Sequence, residues 1–178
     1  EWLAKLLPND TYIIAQPEIG EDQPDFLVVS PSFGLRLLEV KNISLHNIMH
    51  IKTHGQIMGD QFISNPLGQV KNHHDSLNNF LILNMNTGGS DFYKKIGYCV
   101  IHYGFTQTDF INKFSNQISK WTDEKRNEFF KYHLFSDQLN ENIHSHLKNA
   151  TKFHGNFLSQ LQVKEIINLV KVAEPKKI

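Results

Sequence analysis

The sequence predicts an α/β (α+β) fold in which helices flank a central mixed β-sheet. Three observations support this prediction. A helical pattern opens the chain, two short apolar runs separated by turn residues come next, and a long helix precedes a further apolar run. Because these elements alternate along only 178 residues, we expect a single domain that spans residues 1–178 and can bury a core.

The first elements are a short helix and a strand. Apolar residues at helical spacing occupy Trp2–Leu7 and are stopped by Pro8, which predicts a helix that starts at or before residue 1. Glu1 therefore falls in its first turn. Thr11–Ala15 is predicted to be a strand, and the polar residues Gln16–Gln23 are predicted to be a solvated loop.

A β-hairpin is predicted next. Phe26–Val29 is apolar and β-branched, Ser30–Gly34 carries Pro, Ser and Gly turn signals, and Leu35–Val40 is a second apolar run. In an antiparallel pair, the start of one strand lies beside the end of the next. Side chains at these two ends are therefore expected to lie close together.

Two carboxylates and an ammonium occupy these ends. Asp25 precedes the first strand, while Glu39 and Lys41 share one face of the second. Asp25 and Glu39 offer hard oxygen ligands of the kind that Mg²⁺ and Mn²⁺ prefer, with the main-chain carbonyl of Val40 as a third. Lys41 could orient a water or neutralise charge on a phosphate. The alternative is an ordinary hairpin with a surface salt bridge, because this spacing is common by chance.

A long helix is predicted to begin near Asn65. Ser64 or Asn65 would cap it, Pro66 would lie in its first turn, and it would end by Thr87–Gly89. The neutral amide of Gln69 lies in its first turns.

Three basic residues come soon after Gln69, namely Lys71, His73 and His74. A helix N-terminus with such neighbours can hold a backbone phosphate. A solvated helix face is the alternative interpretation of these three side chains.

The rest of the chain is predicted to contain one buried strand and several helices. Ile96–Tyr103 is the strand, Thr108–Phe114 a loop or short helix, Asp137–Leu147 an amphipathic helix and Ser159–Val172 a final helix. Four aromatic residues could stack on bases but are better explained as core: Phe129, Phe130, Tyr132 and Phe135. Three histidines are spaced four apart, namely His46, His50 and His54, and on a helix they would align as a metal site. Gly55 argues against a helix in this segment.

Composition limits the classes of function. The formal net charge is zero, so any binding of nucleic acid must depend on a local patch, a metal ion or a partner domain. A lone cysteine, Cys99, excludes an internal disulfide framework and fits a reducing cytoplasm. No apolar run is long enough to cross a bilayer and no signal peptide is visible, so no membrane partner is expected. Because the sequence starts without Met, we expect it to begin inside a longer chain.

Several short motifs resemble a known family of nucleases. The hairpin resembles the core motif of the PD-(D/E)XK nuclease superfamily. It has P-D before its first strand and L-L-E-V-K at the end of its second strand. The E-V-K-N motif ending at Asn42, together with N-P-L-G-Q over Asn65–Gln69, resembles the nuclease-related domain, NERD. Glu1 matches the acid that begins the first helix of that family.

The resemblance implies a restriction-endonuclease-like core in residues 1–105 and a helical part in residues 106–178. It implies hydrolysis of DNA with Mg²⁺ or Mn²⁺. The implied catalytic residues are Asp25, Glu39, Lys41 and Gln69, and the implied metal ligands are Asp25, Glu39, Val40 and Glu1. The nucleic-acid-binding candidates are Asn42, Lys71, His73 and His74.

The resemblance also extends to a partner domain. Two segments resemble those found between NERD and a superfamily 1 helicase in bacterial proteins. They are K-Y-H-L-F-S-D-Q-L over Lys131–Leu139 and L-Q-V-K-E-I-I over Leu161–Ile167. A covalently linked helicase is therefore expected outside this sequence. The second hypothesis is a nucleic-acid-binding module that feeds such a helicase without cutting, and a third is an interaction domain with no nucleic-acid role. Homo-oligomerisation stays open.

Overall fold

The described part of the chain contains six α-helices and ten β-strands, joined by turns and loops. The structure is a computed structural model, and it describes residues 1–86, 92–155 and 157–172. The helices are α1 (Trp2–Leu6), α2 (Pro66–Asn84), α3 (Gln107–Ile118), α4 (Asp123–Tyr132), α5 (Ile143–Asn149) and α6 (Gln160–Leu169). The strands are β1 (Tyr12–Ala15), β2 (Pro17–Glu18), β3 (Phe26–Ser30), β4 (Gly34–Lys41), β5 (His50–Ile51), β6 (Ile57–Met58), β7 (Ile63–Ser64), β8 (Ile96–His102), β9 (His133–Phe135) and β10 (Lys171–Val172).

The central sheet is mixed and has the order β1-β3-β4-β8-β9. The pairs β1/β3 and β3/β4 are antiparallel, whereas β4/β8 and β8/β9 are parallel. Parallel neighbours need a crossover connection, which α2 provides between β4 and β8, and α3 with α4 between β8 and β9. The predicted mixed sheet with flanking helices is confirmed, and it is consistent with a restriction-endonuclease-like core.

The predicted hairpin is confirmed as β3 and β4. Phe26 pairs with Leu38 and Ser30 pairs with Gly34. Gly34 closes the three-residue turn with a φ of 90°, a conformation that glycine adopts without a Cβ clash. The start of β3 thus lies beside the end of β4, where the candidate site was predicted.

Side-chain alternation divides the core into two layers. Leu35 and Leu37 of β4 pack on one face of the sheet with side chains of α2 and α6. Leu38 of β4 packs on the other face with Leu3 and Leu7, next to the side chains of α5. Burial of each such side chain contributes about 1.5–3 kcal/mol. Because both faces are covered, the odd-numbered side chains at the end of β4 must point toward α2.

A third cluster is mostly aromatic and lies where α3 and α4 meet the small sheet β5-β6-β7. Phe129 and Phe135 are buried in it, Phe130 is partly buried against it, and Tyr132 is buried in the α2 layer. The prediction that these four aromatic residues are core is confirmed.

Two predictions near the chain ends are wrong. The segment Gln16–Gln23 is not a solvated loop, because β2 lies within it and Ile19 is only 1 % exposed. The predicted helix Ser159–Val172 ends at Leu169 and continues as β10. Glu18 pairs with Lys171 across these strands. A two-residue strand exists only because of a partner that is remote in sequence, so no local pattern shows it.

The C-terminal part is not purely helical, and the core does not end at residue 105. β9 is a strand of the central sheet. The predicted helix Asp137–Leu147 begins only at Ile143, since the Asn140 side chain bonds to the main chain of Asp137 and Asn142 instead. Thr108–Phe114 lies inside the longer helix α3, which Thr106 caps by accepting a hydrogen bond from the Asp109 N–H.

The three spaced histidines do not share a helix. His46 lies in a 3₁₀ turn, His50 in β5 and His54 in a turn. In the described ranges, no three His, Cys, Asp or Glu side chains form a group that could hold a metal ion. Among the described helices, none is long and apolar enough to cross a membrane.

A buried arginine ties the central sheet to α5. Arg36 on β4 is 2 % exposed. It donates from Nε to the carbonyl of Leu147 at 2.6 Å, from Nη1 to Leu35 at 2.8 Å and from Nη2 to Lys148 at 3.1 Å. Burial lowers its pKa to about 10, so the guanidinium remains charged at neutral pH and all three bonds are charge-assisted.

Candidate active site

Asp25 closes the open end of the hairpin. Its Oδ2 accepts a hydrogen bond of 2.7 Å from the main-chain N–H of Val40, and its carbonyl accepts one of 2.8 Å from the N–H of Gln16. Phe26 pairs with Leu38, so one further step of the register would set Asp25 opposite Glu39. These two bonds hold a half-buried carboxylate at the end of β4.

Glu39 and Lys41 point toward α2 from the same strand. The Glu39 side chain is 5 % exposed and the Lys41 side chain 22 % exposed. Lys41 Nζ donates to Glu39 Oε1 at 2.8 Å and to Gln69 Oε1 at 3.5 Å. Taking both charges out of water is costly, and such a pair adds little to stability. The two residues flank Val40, which lines an open cleft together with Asp25.

The N-terminus of α2 carries Gln69 to this place. Asn65 caps the helix by accepting a hydrogen bond of 3.0 Å from the Gly68 N–H, and Pro66 comes directly after it. A Cβ on Gly68 would lie 2.5 Å from the Asn65 amide, so glycine leaves room for the cap. The predicted helix start is confirmed. The helix ends at Asn84, and the predicted end at Thr87–Gly89 lies outside the described residues.

Glu1 does not join the two carboxylates. It lines a cleft with Leu38 and Val40, whose side chains point away from the face that carries Glu39 and Lys41. The described residues contain no group of three acids or other metal-ligating side chains. The role of Glu1 as a metal ligand stays a prediction, and α1 packs on the layer of the core opposite α2.

His73 and His74 are not exposed on α2. They are 8 % and 6 % exposed. His74 Nε2 lies 3.2 Å from the carbonyl of Tyr93, and His73 Nδ1 lies 3.7 Å from Asp22 Oδ1. The solvated-face interpretation is therefore wrong for these two residues, and their role in binding phosphate stays a prediction. They point inward because α2 packs broadly on the sheet.

Lys71 and Asn42 keep the exposure that contact with a nucleic acid requires. Asn42 lines an open cleft of about 320 Å³ together with Asp25, Val40 and Tyr103. The sequence offered no sign of Tyr103, which is 47 % exposed. It reaches the cleft because β8 runs parallel to β4 in a register that sets Lys41 beside His102.

His102 and His133 lie buried beneath the site, and no pattern in the sequence singled them out. Both are 0 % exposed, and their rings stack with centroids 5.6 Å apart. Burial lowers the pKa of His102 well below its usual value, and His133 and Lys41 lower it further. Burial also lowers the pKa of His133 to about 4, while its bond to the Phe129 carbonyl opposes this shift. Both imidazoles are therefore neutral beside the Lys41 ammonium.

The two carboxylates fit a hard divalent cation. Within the described residues, Asp25 Oδ1 and Glu39 Oε2 receive no hydrogen bond, and carboxylate oxygens are the ligands that Mg²⁺ and Mn²⁺ prefer. Because no third acidic or imidazole ligand converges there among those residues, the remaining ligands of such an ion would be a main-chain carbonyl, water and substrate.

Comparison with known proteins gives one match. No curated protein and no solved structure matches the chain. The model of the nuclease-related domain, NERD, matches residues 1–103. This range contains Asp25, Glu39, Lys41 and Gln69, and it ends one residue after β8. Since the match covers more than half of the 178 residues, the chain belongs to the NERD family, whose members are related to nucleases.

Proposed function

We propose that this protein hydrolyses phosphodiester bonds of DNA with Mg²⁺ or Mn²⁺ at the end of β4. One observation carries the proposal. Side chains from the hairpin and from the N-terminus of α2 meet there, although Gln69 is far from Asp25 in sequence. Lys41 Nζ contacts both Glu39 and Gln69. Asp25 accepts a hydrogen bond from the main-chain N–H of Val40.

Each side chain has a chemical role in this proposal. Asp25 and Glu39, with the Val40 carbonyl, would hold the metal ion, which when bound activates water and neutralises phosphate charge. Lys41 is held by Glu39 and Gln69, so its ammonium can orient the attacking water and stabilise negative charge on the phosphate oxygens. Gln69 positions Lys41. Asn42 and Lys71 would contact the sugar-phosphate backbone.

A cleavage assay tests the proposal directly. Wild type and Lys41→Ala are incubated with labelled single-stranded, duplex and supercoiled DNA in Mg²⁺, in Mn²⁺ or in EDTA. We expect cutting by the wild type that requires a metal ion and falls by a factor of about a hundred or more in the variant. Lys5→Ala is the matched control, because Lys5 is an exposed lysine on α1, across the sheet from α2.

The same assay separates the alternative function. A binding module that does not cut would show no cleavage in any metal ion, and Lys41→Ala would bind DNA as the wild type does. Metal-independent cutting, or cutting that Lys41→Ala retains, contradicts the proposed chemistry. An RNA substrate of the same sequence, included in parallel, tests the choice of DNA.

We also propose that a superfamily 1 helicase is the covalent partner of this domain. The support is the resemblance of Lys131–Leu139 and Leu161–Ile167 to segments that precede such motors. The first of these segments spans the end of α4, β9 and the turn after it, and the second lies in α6. The complete reading frame of the gene tests this proposal. A frame without the phosphate-binding loop of a helicase motor contradicts it.

A further inference from the structure

We infer that a groove beside α2 binds a short single-stranded segment of the nucleic-acid substrate. The α2 groove is defined by six side chains: His54 and Lys125 at one end, Lys71 in the middle, and Tyr93, Lys152 and Phe153 at the other end. This inference rests on the proposed function, because it gives a substrate class to that activity.

The groove runs along one flank of α2, because the helix residues that line it are spaced three or four apart. Two cavities of about 140 and 260 Å³ share Lys71 as a lining residue. The first is also lined by Leu67 and the second by Asp75, which are eight residues apart on α2. At 1.5 Å per residue the groove is about 12 Å long, which suits about three stacked nucleotides. Gln69, which contacts Lys41, lies two residues before Lys71 and therefore on a different flank of α2.

The groove is more basic than the chain as a whole. Lys71, Lys125 and Lys152 line it as exposed residues, and they face the acids Asp75 and Glu128. Within the described residues, none of these three ammoniums forms a salt bridge. In a protein whose formal net charge is zero, this local excess of positive charge is complementary to a phosphate backbone.

Aromatic rings at the far end favour an unpaired strand. Tyr93 is 46 % exposed. Its ring is held by an edge contact with His74, with centroids 4.5 Å apart, and it lies 6.1 Å from Phe153. An exposed ring held in place can stack on a base, and only an unpaired base presents its face to a protein. A duplex would use the lysines but not the rings.

Fluorescence anisotropy with labelled oligonucleotides in EDTA tests the inference without cleavage. We expect Tyr93→Leu to weaken single-strand binding about five- to fiftyfold and duplex binding less than about twofold, because stacking needs an unpaired base. The double variant Lys71→Ala/Lys152→Ala should lower the salt dependence of single-strand binding by about 0.7 per lysine. Lys5→Ala is again the control, and thermal unfolding verifies that each variant is folded.

Three outcomes overturn the inference: single-strand binding that is unchanged in these variants, equal losses for duplex and single strand, or an equal loss in Lys5→Ala. Cleavage of a dinucleotide too short to reach Tyr93 is measured in parallel. If the wild type cuts it but groove variants bind single strands normally, the groove fails and the nuclease stands. If nothing is cut but Tyr93→Leu loses single-strand binding, the groove stands and the nuclease fails.

Discussion

The carboxylate of Asp25 accepts a hydrogen bond from the main-chain N–H of Val40 at 2.7 Å. The pairing of β3 with β4 begins at Phe26, opposite Leu38. Beyond that pair, the Asp25 side chain, and not a main-chain carbonyl of β3, accepts the hydrogen bond from β4. The same acid lines the open cleft beside Asn42 and Tyr103. Asp25 therefore combines a structural bond through Oδ2 with a free oxygen that can serve the chemistry.

These two roles can be separated by substitution. In Asp25→Asn the amide oxygen still accepts the bond from Val40, but the negative charge is lost. We expect cleavage to fall about a hundredfold or more, while the free energy of unfolding stays within about 0.5 kcal/mol of wild type. Asp25→Ala should lose the same activity and, in addition, about 1 kcal/mol of stability. Cleavage rates and urea unfolding measure both effects, and full activity in Asp25→Asn would contradict the proposed role.

Arg36 should be essential for stability. Arg36→Met keeps much of the apolar stem but leaves the carbonyls of Leu147 and Lys148 without their donors. We expect it to lower the free energy of unfolding by about 2–4 kcal/mol, because unsatisfied buried carbonyls cost about 1–3 kcal/mol each. Urea unfolding measures the loss. Lys148→Ala is the control, since only its main-chain carbonyl accepts a bond from Arg36. An Arg36→Met protein as stable as wild type would contradict the prediction.

Acid should destabilise the protein through its buried imidazoles. His133 has its pKa lowered from 6.5 to about 4 by burial, so below pH 6.5 the unfolded chain binds a proton that the folded chain does not. Stability is therefore fully present above about pH 6.5 and decreases as the pH falls toward 4. The loss from His133 is about 2 kcal/mol by pH 5 and about 3 kcal/mol by pH 4. His102, whose pKa is also lowered, acts in the same direction.

The variant His133→Phe isolates this contribution. It loses the bond to the Phe129 carbonyl, which costs about 1 kcal/mol at pH 7, but its stability should decrease less steeply between pH 7 and 5. Urea unfolding at several pH values measures the slope. His46→Gln, a change at an exposed histidine, should keep the slope of wild type. Equal slopes for wild type and His133→Phe would show that this imidazole titrates normally.

Local signals predicted the elements that make up the site. Alternation and turn residues predicted β3 and β4, and the cap at Asn65 with Pro66 predicted the start of α2. The hairpin geometry alone was enough to bring Asp25 close to Glu39, because pairing in a hairpin is set by the turn between its strands. These features depend on residues close together in the chain.

The sequence does not show how a helix is oriented about its axis or which layer of the core it joins. His73 and His74 have the polar character of a surface, yet α2 is covered by the sheet on enough sides to bury both. Glu1 was expected near the metal; the structure places α1 on the layer of the core opposite α2, and the role of Glu1 stays a prediction. Neither outcome can be deduced from spacing along the chain, because the orientation of a helix about its axis depends on its partners.

By itself, the sequence determined the mixed α/β class, the hairpin, the capped helix and the identity of the acids and the lysine at the open end of the hairpin, since propensity, turn chemistry and alternation act within a few residues. Only the tertiary structure decided that Gln69 contacts Lys41, that Tyr103 shares the cleft with Asp25, that β10 pairs with β2, and that Lys71 lines two cavities. The physical reason is that parallel register and packing between layers are set by burial of remote side chains against each other.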